Sequence, residues 1–356
     1  MSNRMSDKIQ TLWIEVTTRC NLKCEWCYNQ YRNDGKDMSF ELFKEYLRSA
    51  IDIGIKNVVI VGGEPFLWPH IQDAIKLIST LSISSTIITN GTVMVEKDVQ
   101  MITDNIGLLI SIKSTHPSFM IKHAGGYYDL SEKISLINRL GIKYSINIMI
   151  SSLNTENIVD DIRNTHRMGA SKFYLSFCRP AECKNSFIDH SLSSKTASNF
   201  VKKNYEYIDS ITGGHVSFFV NYPLCEWNFP LIDTLVRKKQ IMTVCTVLTR
   251  NGIFIDLDNK VKMCNNMPKL ALLESNGNLI DTLEVLHNDM QIKKKYELIL
   301  STPIDCESCE MFQYCGGGCP LLRRNNVVSF IDKPLHGLGT IDIEIKTEQN
   351  SYQCMH

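Results

Sequence analysis

The sequence predicts an α/β fold: a parallel sheet curved into a partial (β/α)6 barrel of TIM type, followed by a small cysteine-rich domain. Three observations predict it. Short β-rich runs alternate six times with amphipathic helical stretches between Leu12 and about Ser210, most of those runs alternate apolar with polar residues, and the cysteines gather in two groups near opposite ends of the chain. Repeated βα units with short connections imply parallel strands.

The first strand is read at Leu12–Thr17, with Leu12, Ile14 and Val16 on one face and Trp13, Glu15 and Thr17 on the other. A helix near Phe40–Ile53 follows, then a strand at Asn57–Val61 and a helix near His70–Leu81. The third unit is Thr86–Thr89 with Glu96–Asp104. The fourth is Leu108–Lys113, where Ile110 and Ile112 oppose Ser111 and Lys113, with Tyr128–Leu140. In the fifth, Tyr144–Ile150, three isoleucines oppose Ser145, Asn147 and Met149; Asn154 is the expected N-cap of its helix, Thr155–Met168. The sixth, Lys172–Cys178, places Tyr174, Ser176 and Cys178 on one face, ahead of Lys195–Ile211. Gly141 and Gly169 are placed to end helices.

Parallel strands covered on both faces usually read as continuous apolar runs. Alternation instead predicts apolar faces against the helices and polar faces around a ligand-filled interior. A half-solvated antiparallel sheet would alternate too, but conflicts with the βα spacing. After His215–Val220 the composition shifts, and a bridging region at residues 225–244 is expected to divide a barrel of residues 1–224 from an auxiliary domain of residues 245–356. That domain opens with a hairpin, Gly252–Asp256 with Lys260–Met263, turning at Asp258-Asn259, and continues into a polar helix near Leu283–Ile299.

The 38 basic and 38 acidic residues balance, so bulk charge points to neither nucleic acid nor an anionic membrane. Met1–Gln10 is polar without an apolar core, so no signal peptide is read there, and the expected compartment is the cytoplasm. Thirteen cysteines in that compartment read as metal ligands or redox groups rather than disulfides.

Three of them, Cys20, Cys24 and Cys27, follow the first strand with the spacing C-x3-C-x2-C. Three thiolates on one loop hold three irons of a cubane and leave the fourth open. Structural zinc takes four ligands, and no fourth Cys or His is adjacent. The segment resembles the radical S-adenosylmethionine (SAM) superfamily, with Trp26 at the aromatic position before the last cysteine. The resemblance implies a [4Fe–4S] cluster whose open iron binds SAM and whose electron releases a 5′-deoxyadenosyl radical. Gly62-Gly63-Glu64-Pro65 is similar to the GGEP motif that receives the SAM amino group. Alone, it would also read as a strand-ending turn. Thr89-Asn90-Gly91, Ser111 and, more weakly, Asn147 resemble the motifs of the third, fourth and fifth strands, although Ser111 and Asn147 also fit ordinary inward polar residues. Lys113 departs from an Asp common in relatives; it would pair with a substrate or SAM carboxylate, or snorkel to the rim.

A second constellation comprises Cys245, Cys264, Cys306, Cys309, Cys315, Cys319 and Cys354, with Gly316, Gly317 and Gly318 beside it. It resembles the SPASM domain, except that Asn259 stands where relatives have Gly; Asn tolerates the left-handed backbone too. The resemblance implies two auxiliary iron–sulfur clusters, an outer one on Cys306, Cys309, Cys315 and Cys354 and an inner one on Cys245, Cys264 and Cys319. The inner cluster then takes Cys225 as fourth ligand, stays open, or is smaller. A zinc ribbon on Cys306, Cys309, Cys315 and Cys319 is the alternative.

The resemblance implies action on peptides or protein side chains, as in most enzymes with this domain pairing, a minority acting on aminosugars and related small molecules. The expected activity is modification of a ribosomally made peptide by crosslinking or epimerisation, with a flavodoxin or ferredoxin as electron donor. No leader-binding segment is read before the first strand, which speaks against a leader-guided enzyme without excluding a separate leader-binding protein. Asn265 follows Cys264 where the sulfatase-maturing branch has Asp, which disfavours that branch. The alternatives are a small-molecule, aminosugar-like epimerase or dehydrogenase, and an iron–sulfur electron carrier or redox sensor. Cys178, at the end of the sixth strand, is the candidate hydrogen-atom donor; the competing reading is a small buried filler.

Overall fold

A computed structural model describes residues 9–29, 34–183, 186–243, 245, 251–262, 264–266, 271–274, 278–288 and 306–322. Strand β1 (Thr11–Glu15) leads through the cysteine loop to α1 (Phe40–Asp52), whose N-terminus is capped by Ser39 Oγ accepting the Leu42 N–H at 3.2 Å. Then come β2 (Asn57–Val61), α2 (Ile71–Ser79), β3 (Ser84–Thr89), α3 (Glu96–Gln100), β4 (Ile106–Ile112), α4 (Pro117–Ala124), α5 (Ser131–Arg139), β5 (Tyr144–Ile150), α6 (Ile158–Arg167) and β6 (Phe173–Phe177). A small hairpin, β7 (Ala181–Cys183) and β8 (Ser186–Ile188), precedes α7 (Ser194–Thr212), β9 (Val216–Phe219), α8 (Phe229–Arg237) and β10 (Ile241–Met242). The C-terminal part contributes β11 (Gly252–Ile255), β12 (Lys260–Lys262), β13 (Ala271–Glu274), α9 (Leu279–Asn288) and α10 (Phe312–Cys315).

Eleven of these strands form one sheet, ordered β10-β9-β6-β5-β4-β3-β2-β1-β11-β12-β13. The pairs from β10 to β11 are parallel, and β12 and β13 add antiparallel. The six expected strands and their parallel pairing are present. Leu12, Ile14, Ile146, Ile148, Phe173 and Leu175 are fully buried in the main core with the helices. Each such side chain stabilises the fold by about 1.5–3 kcal/mol.

The opposite face is not uniformly polar. Val59, Val61 and Phe254 form a separate apolar cluster with Trp13 and Ile88, so β1, β2, β3 and β11 floor the interior. Half-buried Ser111, Asn147, Tyr174 and Ser176 lie on the strands beyond. The signal for this floor lies in β2, an unbroken apolar run consistent with cover on both faces, which the alternation of the other strands overshadowed.

The local reading needs correction at five places. Asn154 does not cap α6: its Oδ1 accepts the Ser151 N–H at 2.8 Å, its Nδ2 donates to the Met149 carbonyl, and Asn157 occupies the N-cap. Helix α3 ends at Gln100, and α5 starts at Ser131 rather than Tyr128. Helix α4 was not anticipated, although Pro117 at its start and left-handed Gly125 at its end are ordinary boundary signals. The helix expected near Leu283–Ile299 begins earlier, at Leu279; residues 289–299 lie outside the described residues, as does Met263. The expected hairpin is present, and Asn259 adopts φ +58° at its turn.

Candidate functional site

The loop after β1 is fastened to the end of β2 by backbone contacts. Gly63 N–H donates to the Thr17 carbonyl and Glu64 N–H to the Arg19 carbonyl, both at 2.7 Å. A β-carbon on Gly62 would stand 2.5 Å from the Thr17 oxygen, and one on Gly63 would stand 2.7 Å from the Thr18 oxygen. The two glycines are therefore required by the cysteine loop itself. Thr17 Oγ1 donates to Asp37 at 2.6 Å and Thr18 Oγ1 to Asp34 at 2.6 Å, which completes the anchoring.

Cys20, Cys24 and Cys27 lie together on this loop, each within reach of another's charge. Leu22 N–H points at Cys20 Sγ at 3.5 Å and Asn29 N–H at Cys27 Sγ at 3.3 Å. Burial raises all three thiols, Cys27 to about 12. The Trp26 ring lies 5.9 Å from that of Phe119 of α4, tilted by 30°, and Lys23 and Glu25 donate backbone N–H groups to the Ala124 and His123 carbonyls. Helix α4 thus braces the loop.

Glu64 is fully buried. Its Oε1 accepts from Thr89 Oγ1 at 2.6 Å and Phe66 N–H at 3.1 Å, and its Oε2 from Asn90 N–H at 2.7 Å. Burial nevertheless raises its pKa above the ordinary carboxylate value. Pro65 opens the short turn that Glu64 caps. Asn90 Nδ2 donates to Asn21 and lies beside Cys20. Ser111 and Asn147 are register partners on β4 and β5; Asn147 Oδ1 accepts from Ser176 Oγ at 3.0 Å. Lys113 does not snorkel to the rim: its Nζ donates to Ser111 Oγ at 2.7 Å, and its charge reaches Glu64 and all three thiols.

Cys178 is 2% exposed and packs in the same apolar cluster as Cys24, Trp26, Phe119 and Met120, with Cys20 and Cys27 at its edge. Burial pushes its thiol up to about 11.

A second group of thiols forms at the ends of β6 and β9. Cys245, Cys264 and Cys319 are within reach of one another's charge. Cys319 N–H donates to the Asn221 carbonyl at 2.6 Å, and Asn266 Nδ2 donates to the Pro180 carbonyl at 3.3 Å. Gly316, Gly317 and Gly318 are all left-handed, and a β-carbon on Gly318 would stand 2.7 Å from the Pro223 nitrogen. Burial raises Cys264 to about 12 and raises Cys319 as well. Cys225 is exposed, two residues from Pro223. Cys306 and Cys309 are half-buried and linked by Cys309 N–H to the Cys306 carbonyl at 3.2 Å, and Cys315 is buried. Cys354 lies outside the described residues.

Both thiol groups suit iron–sulfur clusters. Backbone N–H groups aim at Cys20, Cys27 and Cys264 sulfurs, the last from Asn266 at 3.4 Å. Buried Trp13 Nε1 in the barrel and both side-chain amide atoms of Asn221, whose backbone carbonyl accepts from Cys319, lack a hydrogen-bond partner among the described residues. Among the described residues, no group of three His, Cys, Asp or Glu side chains is arranged to hold a metal ion; a cubane spreads its thiolates over several irons. No helix among the described residues is long and apolar enough to cross a membrane.

Residues 14–168 match the family model of the radical SAM superfamily. The chain carries a radical SAM domain. A probable GTP 3′,8-cyclase of Methanococcus maripaludis strain S2 is 30% identical over 106 residues, 29% of this chain and 36% of that protein's length. Streptococcus suis SuiB bound to S-adenosylmethionine shares the fold of this chain, with TM-score 0.69, 20% identity, and 87% of this chain and 73% of that one covered. SuiB bound to precursor peptide SuiA gives a TM-score of 0.68 at 19% identity, covering 87% and 72%. The structure of anSMEcpe with bound AdoMet and Cp18Cys peptide gives 0.64 at 18% identity, covering 87% and 88%.

Sequence reasoning overlooked Arg179. Nothing in the spacing singles it out, because its place depends on cysteines far along the chain.

Proposed function

We propose that the chain is a radical SAM enzyme with a C-terminal SPASM domain and two auxiliary clusters, and that it abstracts hydrogen from a ribosomally made peptide to crosslink or epimerise it. The observation that carries this reading is the approach of both thiol groups to one strand end: Cys178 packs with the first, and the carbonyl of Pro180, two residues on, accepts from Asn266 of the Cys264 loop. The peptide complexes of the structural relatives support a peptide substrate.

Cys20, Cys24 and Cys27 would hold the first [4Fe–4S] cluster, which with SAM supplies a 5′-deoxyadenosyl radical. Gly62, Gly63, Glu64, Pro65, Asn90, Ser111 and Asn147 would hold SAM, with Trp26 packed beside the loop. Lys113 offers its ammonium to a carboxylate. Cys178, kept protonated by burial, gives a hydrogen atom to a substrate carbon radical: the S–H bond breaks and a C–H bond forms. A flavodoxin- or ferredoxin-class donor and a solvent proton then restore the thiol.

Cys245, Cys264 and Cys319 would hold the inner auxiliary cluster, with Cys225, an open site or a smaller cluster completing it. Cys306, Cys309, Cys315 and Cys354 would hold the outer one. The second reading is a small-molecule epimerase or dehydrogenase, favoured by the resemblance to a protein named as a GTP cyclase.

The test is anaerobic reconstitution with iron and sulfide, then dithionite and SAM, with and without short peptides encoded beside this gene. The expected result is 5′-deoxyadenosine, together with a peptide that has lost two hydrogens or gained a D-residue. No 5′-deoxyadenosine under any condition would leave an electron carrier as the reading; turnover on aminosugars alone would favour the small-molecule enzyme.

A further inference from the structure

We propose that Arg179 sets the reduction potential of the inner auxiliary cluster by placing a positive charge beside its ligands. The proposal rests on the reading of Cys245, Cys264 and Cys319 as ligands of one cluster.

Arg179 immediately follows Cys178 at the end of β6, and its guanidinium lies 5.5 Å from the centroid of the Phe219 ring at the end of β9. The second thiol group is attached at those two strand ends. Pro180, next to Arg179, accepts from Asn266 of the Cys264 loop at 3.3 Å, and Asn221, two residues past Phe219, accepts the Cys319 N–H at 2.6 Å. The guanidinium is therefore held at the two strand ends to which the Cys264 and Cys319 loops are fastened.

Arginine remains charged at every physiological pH. Among the described residues no carboxylate forms an ion pair with Arg179; the charge of Asp189 reaches the neighbouring Cys178 without pairing with the guanidinium. Three thiolates around a cluster carry net negative charge, and reduction adds one more electron. A fixed cation in a half-buried site lowers the energy of the reduced form more than that of the oxidised form, because the interaction grows with the negative charge it faces. Arg179 is thus a positioning residue for electrons: it favours the inner cluster as acceptor of one electron from a substrate radical or from a flavodoxin- or ferredoxin-class donor.

The test is an EPR-monitored redox titration of the reconstituted full chain, in which Cys20, Cys24 and Cys27 are all replaced by Ala so that only auxiliary clusters report. R179Q, R179M and R179K are compared in that background. Loss of the charge in R179Q and R179M is expected to shift one auxiliary midpoint downward by a tenfold or larger change in the reduction equilibrium, about 59 mV for one electron. The other midpoint stays in place, and R179K stays near the parent value. Equal midpoints in all four proteins at equal iron content would overturn the role of Arg179. A parent protein that holds no auxiliary iron would instead overturn the cluster reading beneath it.

Discussion

Gly63 and Arg19 touch through their backbones, with the N–H of the next residue, Glu64, donating to the Arg19 carbonyl at 2.7 Å, so the loop that carries the cysteine triplet and the end of β2 form one unit. The GGEP segment, read in sequence as a receiver of SAM, is also the support on which Cys20, Cys24 and Cys27 rest.

Gly63→Ala tests that support. The added methyl has no room, and overpacking of this kind costs about 1–3 kcal/mol. The expected outcome is loss of up to four irons from the first site and of SAM cleavage, while C-terminal absorbance persists. Iron analysis and thermal denaturation check it; a variant with full iron and normal cleavage would show that the contact is dispensable.

Replacing Cys20, Cys24 and Cys27 together with Ala should abolish 5′-deoxyadenosine formation. The reconstituted parent should bind about twelve irons, as three cubanes. Cys306→Ala or Cys354→Ala should lower that count by up to four and destabilise the C-terminal region, because metal binding and folding are coupled. Near four irons with one or two zincs would replace the auxiliary clusters by a zinc ribbon.

Cys178→Ala should still cleave SAM but give no epimer, or a dehydrogenated product. In deuterated water the parent enzyme should place one solvent deuteron in its product. Normal product at a normal rate from the variant, or a product without deuterium, would remove the donor role and favour crosslinking.

Asp161→Asn addresses stability away from the cysteines. Asp161 Oδ1 accepts from Ser114 Oγ, Thr115 N–H and Thr115 Oγ1 and lies 3.9 Å from His116 Nε2, while buried Oδ2 has no hydrogen-bond partner among the described residues. Burial raises its pKa from the ordinary value of 3.8. The stability tied to its protonated form is thus complete below that value and lost as pH rises through the folded-state pKa. An Asn keeps the single accepting oxygen and removes the buried charge, so the variant should be at least as stable as the parent at pH 7, and less stable relative to it at low pH. Urea denaturation between pH 4 and 8 reads this, and a destabilised variant at pH 7 would contradict it.

The sequence displayed the strands, the triplet and the glycine motifs because each is a local pattern: alternation, spacing, turn chemistry. It hid whatever depends on distant neighbours. Asn154 looked like a cap but is consumed by the turn from Ser151. Arg179 looked like an ordinary strand-end residue until the Cys264 and Cys319 loops, more than eighty residues on, were brought to Pro180 and Asn221. Lys113 could be placed only once Ser111 and the triplet shared one space.

The pairing of β1 with β11 also bears on how the chain is made. Thr11–Ile14 find their second neighbours in Gly252–Ile255, roughly 240 residues later, and contacts of such long separation slow folding. During synthesis the first strand presents a bare edge until the β11–β12 hairpin leaves the ribosome. An unpaired edge of that kind is a template for self-association. Chains cut short before β11 are therefore expected to aggregate even though every residue of the radical SAM domain has been translated.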